Sequence, residues 1–368
     1  MTELQMLAIA YLFFVALITA ELAVSRLRQD GGYRVGEMVV NIGHGVVYQA
    51  FDFLTKGLMA LPFLAVAQLV TWDLLPTDAW WAWVIGIIAF DLSSYWLHRH
   101  HHEIHFLWAI HGVHHAAEDY NLAAALRQAA FQKLTSWPWR IPLALIMPIE
   151  MFIGIVVFDF LYQFLMHTRY VPKLGPIEWV FNTPSHHRVH HGRNEKYLDR
   201  NYACILVVWD RLFGTFQEEH EEPSYGLTKP LHTLNSVWGN FAIFRELVAA
   251  TQRAHGANRL RLWLAGPAHL ARLVPGHRSS SPETHPEALG TRSLRWYVGL
   301  SGLLIPPVLG WTLLVGDDWS LGFRVAMVAW LVVSVVAGGG LLERRRWAVP
   351  LEFARVAVGL AAMVVVVS

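Results

Sequence analysis

A single cysteine, Cys204, in 368 residues excludes an intramolecular disulfide and any thiolate cluster for a metal. Charge is scarce as well: 15% of the residues are Asp, Glu, Lys or Arg, and the formal net charge is +1. No block of like charge offers a footprint for nucleic acid. So few charges beside a 54% hydrophobic composition leave too little polar surface for a soluble domain. No repeat of solenoid type occurs. The N-terminus lacks the basic leader of a cleavable signal. Its apolar run from Leu4 to Val24, followed by Arg26 and Arg28, is expected to be retained as an anchor.

The chain is rich in tryptophan, histidine and long apolar runs. Its 17 tryptophans and 11 tyrosines suit the headgroup level of a membrane. About twenty apolar residues span a bilayer as a helix. Spans are expected over Leu4–Val24, Val46–Val70, Trp80–Leu97, Trp296–Val315, Leu321–Leu342 and Trp347–Val367. With Arg26, Arg28, Arg34, Arg292, Arg295 and Arg344–Arg346 on the cytoplasmic side, Asp73, Asp78, Asp317 and Asp318 fall on the other. That places residues 98–115 just inside the cytoplasmic face. The run from Ile141 to Met166 is apolar enough to cross, but Pro142, Pro148, Glu150 and Asp159 interrupt it. A crossing would also carry His167 away from the other histidines. A re-entrant hairpin of two short helices, walling a pocket, is expected there. Residues 194–222 read as a polar cap, "RLRLWLAGPAHLARLV" (259–274) as an amphipathic surface stretch, and 275–291 as a flexible linker. The expected fold is all-α and polytopic, with a cytoplasmic histidine-rich helical cap holding a di-metal site. Its units are 1–250, 251–292 and 293–368.

Twelve of the 20 histidines fall in three groups: five over 98–105, three over 111–115 and four over 186–191. "HRHHHE" sets His98 and His102 at i, i+4. "HGVHH" sets His111, His114 and His115 at i, i+3, i+4, and "HRVHH" repeats this with His187, His190 and His191. Each set shares a helix face. His167 stands alone, with Gln163 one turn earlier. A single histidine on an apolar face is usually a satisfied core or surface residue, and histidine-rich tracts in disordered loops are loose metal buffers. Three sets at helical spacing beside apolar segments point to a built metal site. Nitrogen ligands without cysteine suit zinc, iron, copper or nickel. Eight or nine imidazoles are too many for one ion, and a pair of irons binding dioxygen accounts for the number. Glu103 or Glu118 would orient imidazole N–H groups. His100, His101 and His105 point off the shared face and are expected at the surface or behind the ligands.

These boxes resemble those of the fatty acid hydroxylase and sterol desaturase superfamily. "HHAAEDYNLAAALRQ" (114–128), "NTPSHHRVHHGRN" (182–194) and "DRNYACILVVWDRLFGTFQEE" (199–219) are similar to its ether-lipid-cleaving branch, the alkylglycerol monooxygenases, as is the later "GLTKPLHTLNSVWGNF". The resemblance runs over most of the chain, most strongly over 90–245. It implies a di-iron site held by His98, His102, His111, His114, His115, His187, His190 and His191, with His167 completing the set. It implies an accessory role for His186 and a functional one for Glu103. It implies dioxygen as co-substrate and tetrahydrobiopterin as reductant, or a ferredoxin-like donor in its place. No fused cytochrome b5-like domain is visible, so electrons are expected from an external donor. The implied reaction hydroxylates the carbon beside the ether bond of an alkylglycerol lipid in the bilayer, and the product collapses to an aldehyde and a glycerol derivative. Asp119, Tyr120, Asn121 and Arg127 are candidates for headgroup or reductant contacts, or else a polar network bracing the second box. A sterol or fatty-acyl desaturase or hydroxylase would share the iron site. A metal transporter would need ionisable residues along the spans, and the spans carry few.

Overall fold

The structure, a computed structural model, describes residues 3–69, 74–274, 291–315 and 319–367. Asp73, Asp317, Asp318 and nearly all of the expected linker lie outside the described residues. The described chain is helical, its one β-type contact a bridge between Phe181 and Leu206. It opens with α1 (Glu3–Arg28), α2 (Val35–Ala67) and α3 (Trp80–Glu103); a break at Ile104 then leads into α4 (His105–His115). Short α5 (Gln132–Thr135) and α6 (Trp137–Arg140) precede α7 (Ile149–Met166) and α8 (Pro184–His190). The cap continues through α9 (Val208–Phe213), α10 (Ser236–Arg253), α11 (Asn258–Leu264) and α12 (Leu270–Leu273). Three long helices, α13 (Arg292–Val315), α14 (Leu321–Leu342) and α15 (Ala348–Val367), complete it.

Six of these helices overlap the six expected spans, with α2 ending at Ala67 and α15 starting at Ala348. Two of the described helices are long and apolar enough to cross a membrane by length and composition: α7 and α14. Only 22% of α7 is buried, against 50% of α14. A core helix of a soluble protein would be mostly covered, whereas α7 keeps an open apolar flank of the kind that faces lipid. The expected hairpin of two short helices over 141–166 is corrected here. Ile141–Leu145 forms a 3-10 turn, and α7 is one unbroken helix of 18 residues. The reason is positional: both prolines precede α7, with Pro148 at its N-cap where no backbone N–H is required, and Glu150 sits in the first turn.

Two packed regions support the cap. Phe14 and Ile18 of α1, Met38, Ile42 and Val46 of α2 and Leu331 and Val335 of α14 share one core with Leu122, Leu126 and Phe164. Close approach depends on glycine: a Cβ on Gly45 would stand 2.8 Å from the carbonyl oxygen of Leu126, and one on Gly339 2.5 Å from that of Leu234. A second core joins α3 to α7 through Phe90, Met151 and Ile155. Residues 259–274 do not lie free. Leu262 and Val274 bury into a core with Ala109 of α4 and Leu247 of α10, while Leu260 and Leu264 stay exposed.

Candidate metal centre

The ends of α3, α4, α7 and α8 meet at one place. Ile104 is extended (φ −116°, ψ 117°), which breaks α3 from α4 and folds the second histidine set back on the first. His167 is the residue at which α7 stops, and α8 is a two-turn helix opened by Pro184, which pre-sets the first turn. All nine predicted imidazoles converge there in two groups. His98, His102, His111, His115 and His190 form one, and His114, His167, His187 and His191 the other; within each, the ligand nitrogens lie within 4.8 Å of one another. The two H-x₂-HH sets therefore split: residues i and i+4 serve one group and i+3 the other, in opposite senses for α4 and α8. The groups are adjacent, the rings of His115 and His191 stacking with centroids 4.4 Å apart.

Hydrogen bonds determine which nitrogen faces inward. The Nδ1–H groups of His98, His114, His167 and His190 donate to the backbone carbonyls of Tyr202, Arg127, Gln163 and Arg200 at 2.8, 3.0, 2.8 and 3.0 Å. A neutral imidazole carries one N–H, so each of these rings turns a bare Nε2 inward. The Nε2 atoms of His114 and His167 then face each other at 3.3 Å, lone pair to lone pair. His98 Nε2 lies 3.0 Å from His111 Nε2, and His187 Nε2 3.1 Å from His167 Nε2. His102 Nε2 and His190 Nε2 are buried without a hydrogen-bond partner among the described residues. Such a nest of inward lone pairs is unfavourable unless cations lie between them. Nine nitrogen ligands in two clusters, one with five imidazoles, exceed the four ligands of structural zinc and are compatible with iron.

Burial, and then the neighbouring imidazoles, hold His98, His111, His115, His167, His187, His190 and His191 neutral well below the ordinary histidine range. Burial takes His114 and His101 down to about 4. A depressed folded-state value means that the unfolded chain binds more protons between about pH 6.5 and about pH 4. Metal-free protein in detergent is therefore expected to melt at progressively lower temperature as pH falls through that window, while metal-loaded protein resists until its ligands protonate. A flat metal-free melting profile from about pH 7 to about pH 5 would count against neutral buried histidines.

The remaining candidates fall elsewhere. Neither Glu103 nor Glu118, the carboxylates expected to orient the rings, belongs to the two histidine groups: Glu118 pairs with Arg34 at 3.2 Å and Glu103 with Arg99 at 2.8 Å. Asp119 also pairs with Arg34, at 2.7 Å. Glu103 is 44% exposed and outside both groups. Asp199 stands 3.8 Å from His102 Nδ1, too far for a hydrogen bond. Backbone carbonyls take the orienting role, which avoids burying a carboxylate beside neutral rings. His101 is buried and bonds Leu97 O and Thr135 Oγ1, bracing α3 on α5. His105 is buried against α11, and His100 stacks on Trp96 and accepts from Trp139 Nε1. His186 is buried and sits edge-on to Phe216. Arg127 donates to Glu37, Asn41 and Val113 O, Asn121 to Gly32 O, and Tyr120 to Met166 O.

Sequence reasoning missed Asp91 and Asp210. Asp91 accepts from the backbone N–H of Ile205 and Leu206, and Asp210 from those of Tyr202 and Ala203, pinning the loop whose Tyr202 carbonyl orients His98. An aspartate inside the apolar run "IIAFDL" was the available signal.

Comparison with known proteins accords with this geometry. The fatty acid hydroxylase family profile matches residues 83–215, which contain every one of the nine histidines. The alkylglycerol monooxygenase of Danio rerio is 33% identical over 352 residues, 93% of this chain and 79% of the relative. That of Homo sapiens is 40% identical over 226 residues, and there the chain spans about half of the relative's length, 51%. The ornithine lipid hydroxylase of Rhizobium tropici is 28% identical over 218 residues, 56% of this chain and 66% of the relative. No solved structure matches. With its nine inward-facing histidines inside the matched region and its similarity running almost end to end, the chain belongs to the alkylglycerol monooxygenase family of fatty acid hydroxylases.

Proposed function

We propose that this protein is a multi-pass membrane monooxygenase that hydroxylates the carbon beside the ether bond of an alkylglycerol. The observation that carries the reading is the pair of histidine groups with unpartnered nitrogens turned inward. His98, His102, His111, His115 and His190 would hold one iron and His114, His167, His187 and His191 the other. Iron bound there would supply the activation of dioxygen by electrons from an external donor, a pterin or a ferredoxin-like protein.

The chain's own residues do the rest. Burial keeps His98, His111, His114, His115, His167, His187, His190 and His191 neutral and ready to ligate, and the carbonyls of Tyr202, Arg127, Gln163 and Arg200 fix the orientation of His98, His114, His167 and His190 before any ion arrives. The site lies where α3 and α7 end, so an alkyl chain in the surrounding lipid would approach along these helices with its polar head toward the cap. We place that cap on the cytoplasmic side from the arginine-rich flanks. Water exclusion by the packed helix ends protects the reacting carbon. The overall change inserts one oxygen atom into the C–H bond. The other atom of dioxygen leaves as water, with two electrons and two protons consumed. The hemiacetal so formed collapses to a fatty aldehyde and a free glycerol hydroxyl.

Proteoliposomes containing the purified protein, an alkylglycerol, tetrahydrobiopterin and ¹⁸O₂ are expected to release fatty aldehyde with one labelled oxygen, trapped and read by mass spectrometry. Omitting the pterin should stop turnover unless a ferredoxin system replaces it. Untouched ether lipid beside a newly hydroxylated or desaturated sterol or acyl chain would overturn the substrate assignment and leave the metal site standing.

A further inference from the structure

We infer that the cap carries a membrane-docking surface of its own. In it, the apolar lip formed by residues 174–181 and 205–212 lies in the interfacial layer of the bilayer against α7. The inference rests on the reading of α3 and α7 as membrane helices. Three independent observations support it.

The lip is apolar and uncovered. Trp179 is 70% exposed and Leu212 66%, and Ile177 and Val208 lie open beside them. The guanidinium of Arg211 stands over the face of the Trp179 ring, 5.4 Å from its centroid, pairing an aromatic with a cation as at a headgroup boundary.

The lip is also continuous with the lipid-facing side of α7. Phe158, Tyr162 and Leu165 occupy positions i, i+4 and i+7 of that helix, one stripe, with Phe158 and Leu165 exposed. The Tyr162 hydroxyl donates to the carbonyl of Asn182 at 2.5 Å, fastening the stripe to the end of the lip.

Finally, the irregular backbone here is satisfied from within. Asp91 lies seven residues before His98 on α3, about 10 Å along the helix toward the membrane interior. Its fully buried carboxylate takes the N–H groups of Ile205 and Leu206 at 2.8 and 2.9 Å and the indole N–H of Trp209 at 2.9 Å. Asn182 Nδ2 donates to Ala203 O at 2.8 Å, Gln163 Nε2 to Cys204 O at 2.6 Å, and Asn182 N to Ile205 O at 2.7 Å. An irregular loop at the water face can leave these groups to solvent. One that reaches below the histidines into lipid cannot, and buried side chains must take them. The occupant fitted by an open apolar lip, a tryptophan paired with a guanidinium and an internally satisfied backbone is the lipid surface.

Single cysteines test this in a Cys204→Ser background: Trp179→Cys and Leu212→Cys on the lip, Phe158→Cys within α7 and Lys196→Cys on the polar cap. Each carries an environment-sensitive fluorophore in phosphatidylcholine/phosphatidylglycerol proteoliposomes. Iodide reports water, and doxyl groups at shallow or deep positions of the lipid report depth. Probes at 179 and 212 are expected to be quenched by shallow doxyl and protected several-fold from iodide relative to 196, with 158 answering to deep doxyl. Iodide access at 179 and 212 equal to that at 196, with 158 still in lipid, overturns the lip and leaves the span. Iodide access at 158 overturns the membrane reading and the lip with it. Shielding of 179 and 212 from both quenchers means that a protein, such as a second copy of the chain, covers the surface, and the inference fails.

Discussion

Replacing His115 or His190 with alanine is expected to strip one metal ion from the chain and to lower activity by more than about a hundredfold. The bound exceeds the 10–100-fold typical of losing a group that merely orients a ligand. Both rings belong to the five-imidazole group, and both touch the other group through the stacked His191 and its neighbours. His167→Ala and His187→Ala should act on the second group with a comparable loss, because the proposed chemistry uses the pair. His100→Ala is the internal control. Its ring rests between Trp96 and Trp139, outside both groups, and metal content should be unchanged with activity within a few-fold of the parent. His101→Ala should cost stability before metal, since its ring ties α3 to Thr135 in a buried setting. Metal per chain by mass spectrometry, beside turnover, separates these cases. Two ions per chain and full activity after His115→Ala would sink the assignment.

The histidine boxes were legible because ligand spacing and helix period coincide, but their division between two groups was not drawn from them. At about 100° per residue, positions i+3 and i+4 lie on opposite sides of position i, about 100° apart. His114 and His115 thus diverge to different groups while His111 and His115 stay together. The spacing contains this split once two centres are supposed. What orients the rings was invisible for a different reason: any residue offers a carbonyl, so Tyr202, Arg127, Gln163 and Arg200 have no side-chain signature for that role. Glu103 stands directly after the first histidine box, but its helical position four residues after Arg99 gives it a surface ion-pair partner. The apolar runs located the helices well. They mislead over residues 141–166, where proline reads as an interruption of the run but Pro148 marks the place where the helix begins.

Arg127→Met is expected to destabilise the protein by about 3–5 kcal/mol, the range for removing one partner of a buried ion pair. Arg127 is fully buried. It donates to Glu37 Oε1 at 2.9 Å, Asn41 Oδ1 at 3.0 Å and the Val113 carbonyl at 2.9 Å, so one side chain ties α2 to the end of α4. Methionine fills part of the volume and leaves Glu37 as a buried carboxylate without its cation. The double variant Glu37→Gln/Arg127→Met should therefore be more stable than the single one, the mark of a coupled pair. The carbonyl of residue 127, which holds His114 Nδ1 at 3.0 Å, survives both substitutions. Loss of metal from the second group in the single variant, restored in the double, would show that the network acts by fixing where that carbonyl stands. Chemical denaturation in detergent gives the stability order, and metal content gives the position of the carbonyl. Tolerance of Arg127→Met to within about 1 kcal/mol would mean that water reaches Glu37 and that the network braces nothing.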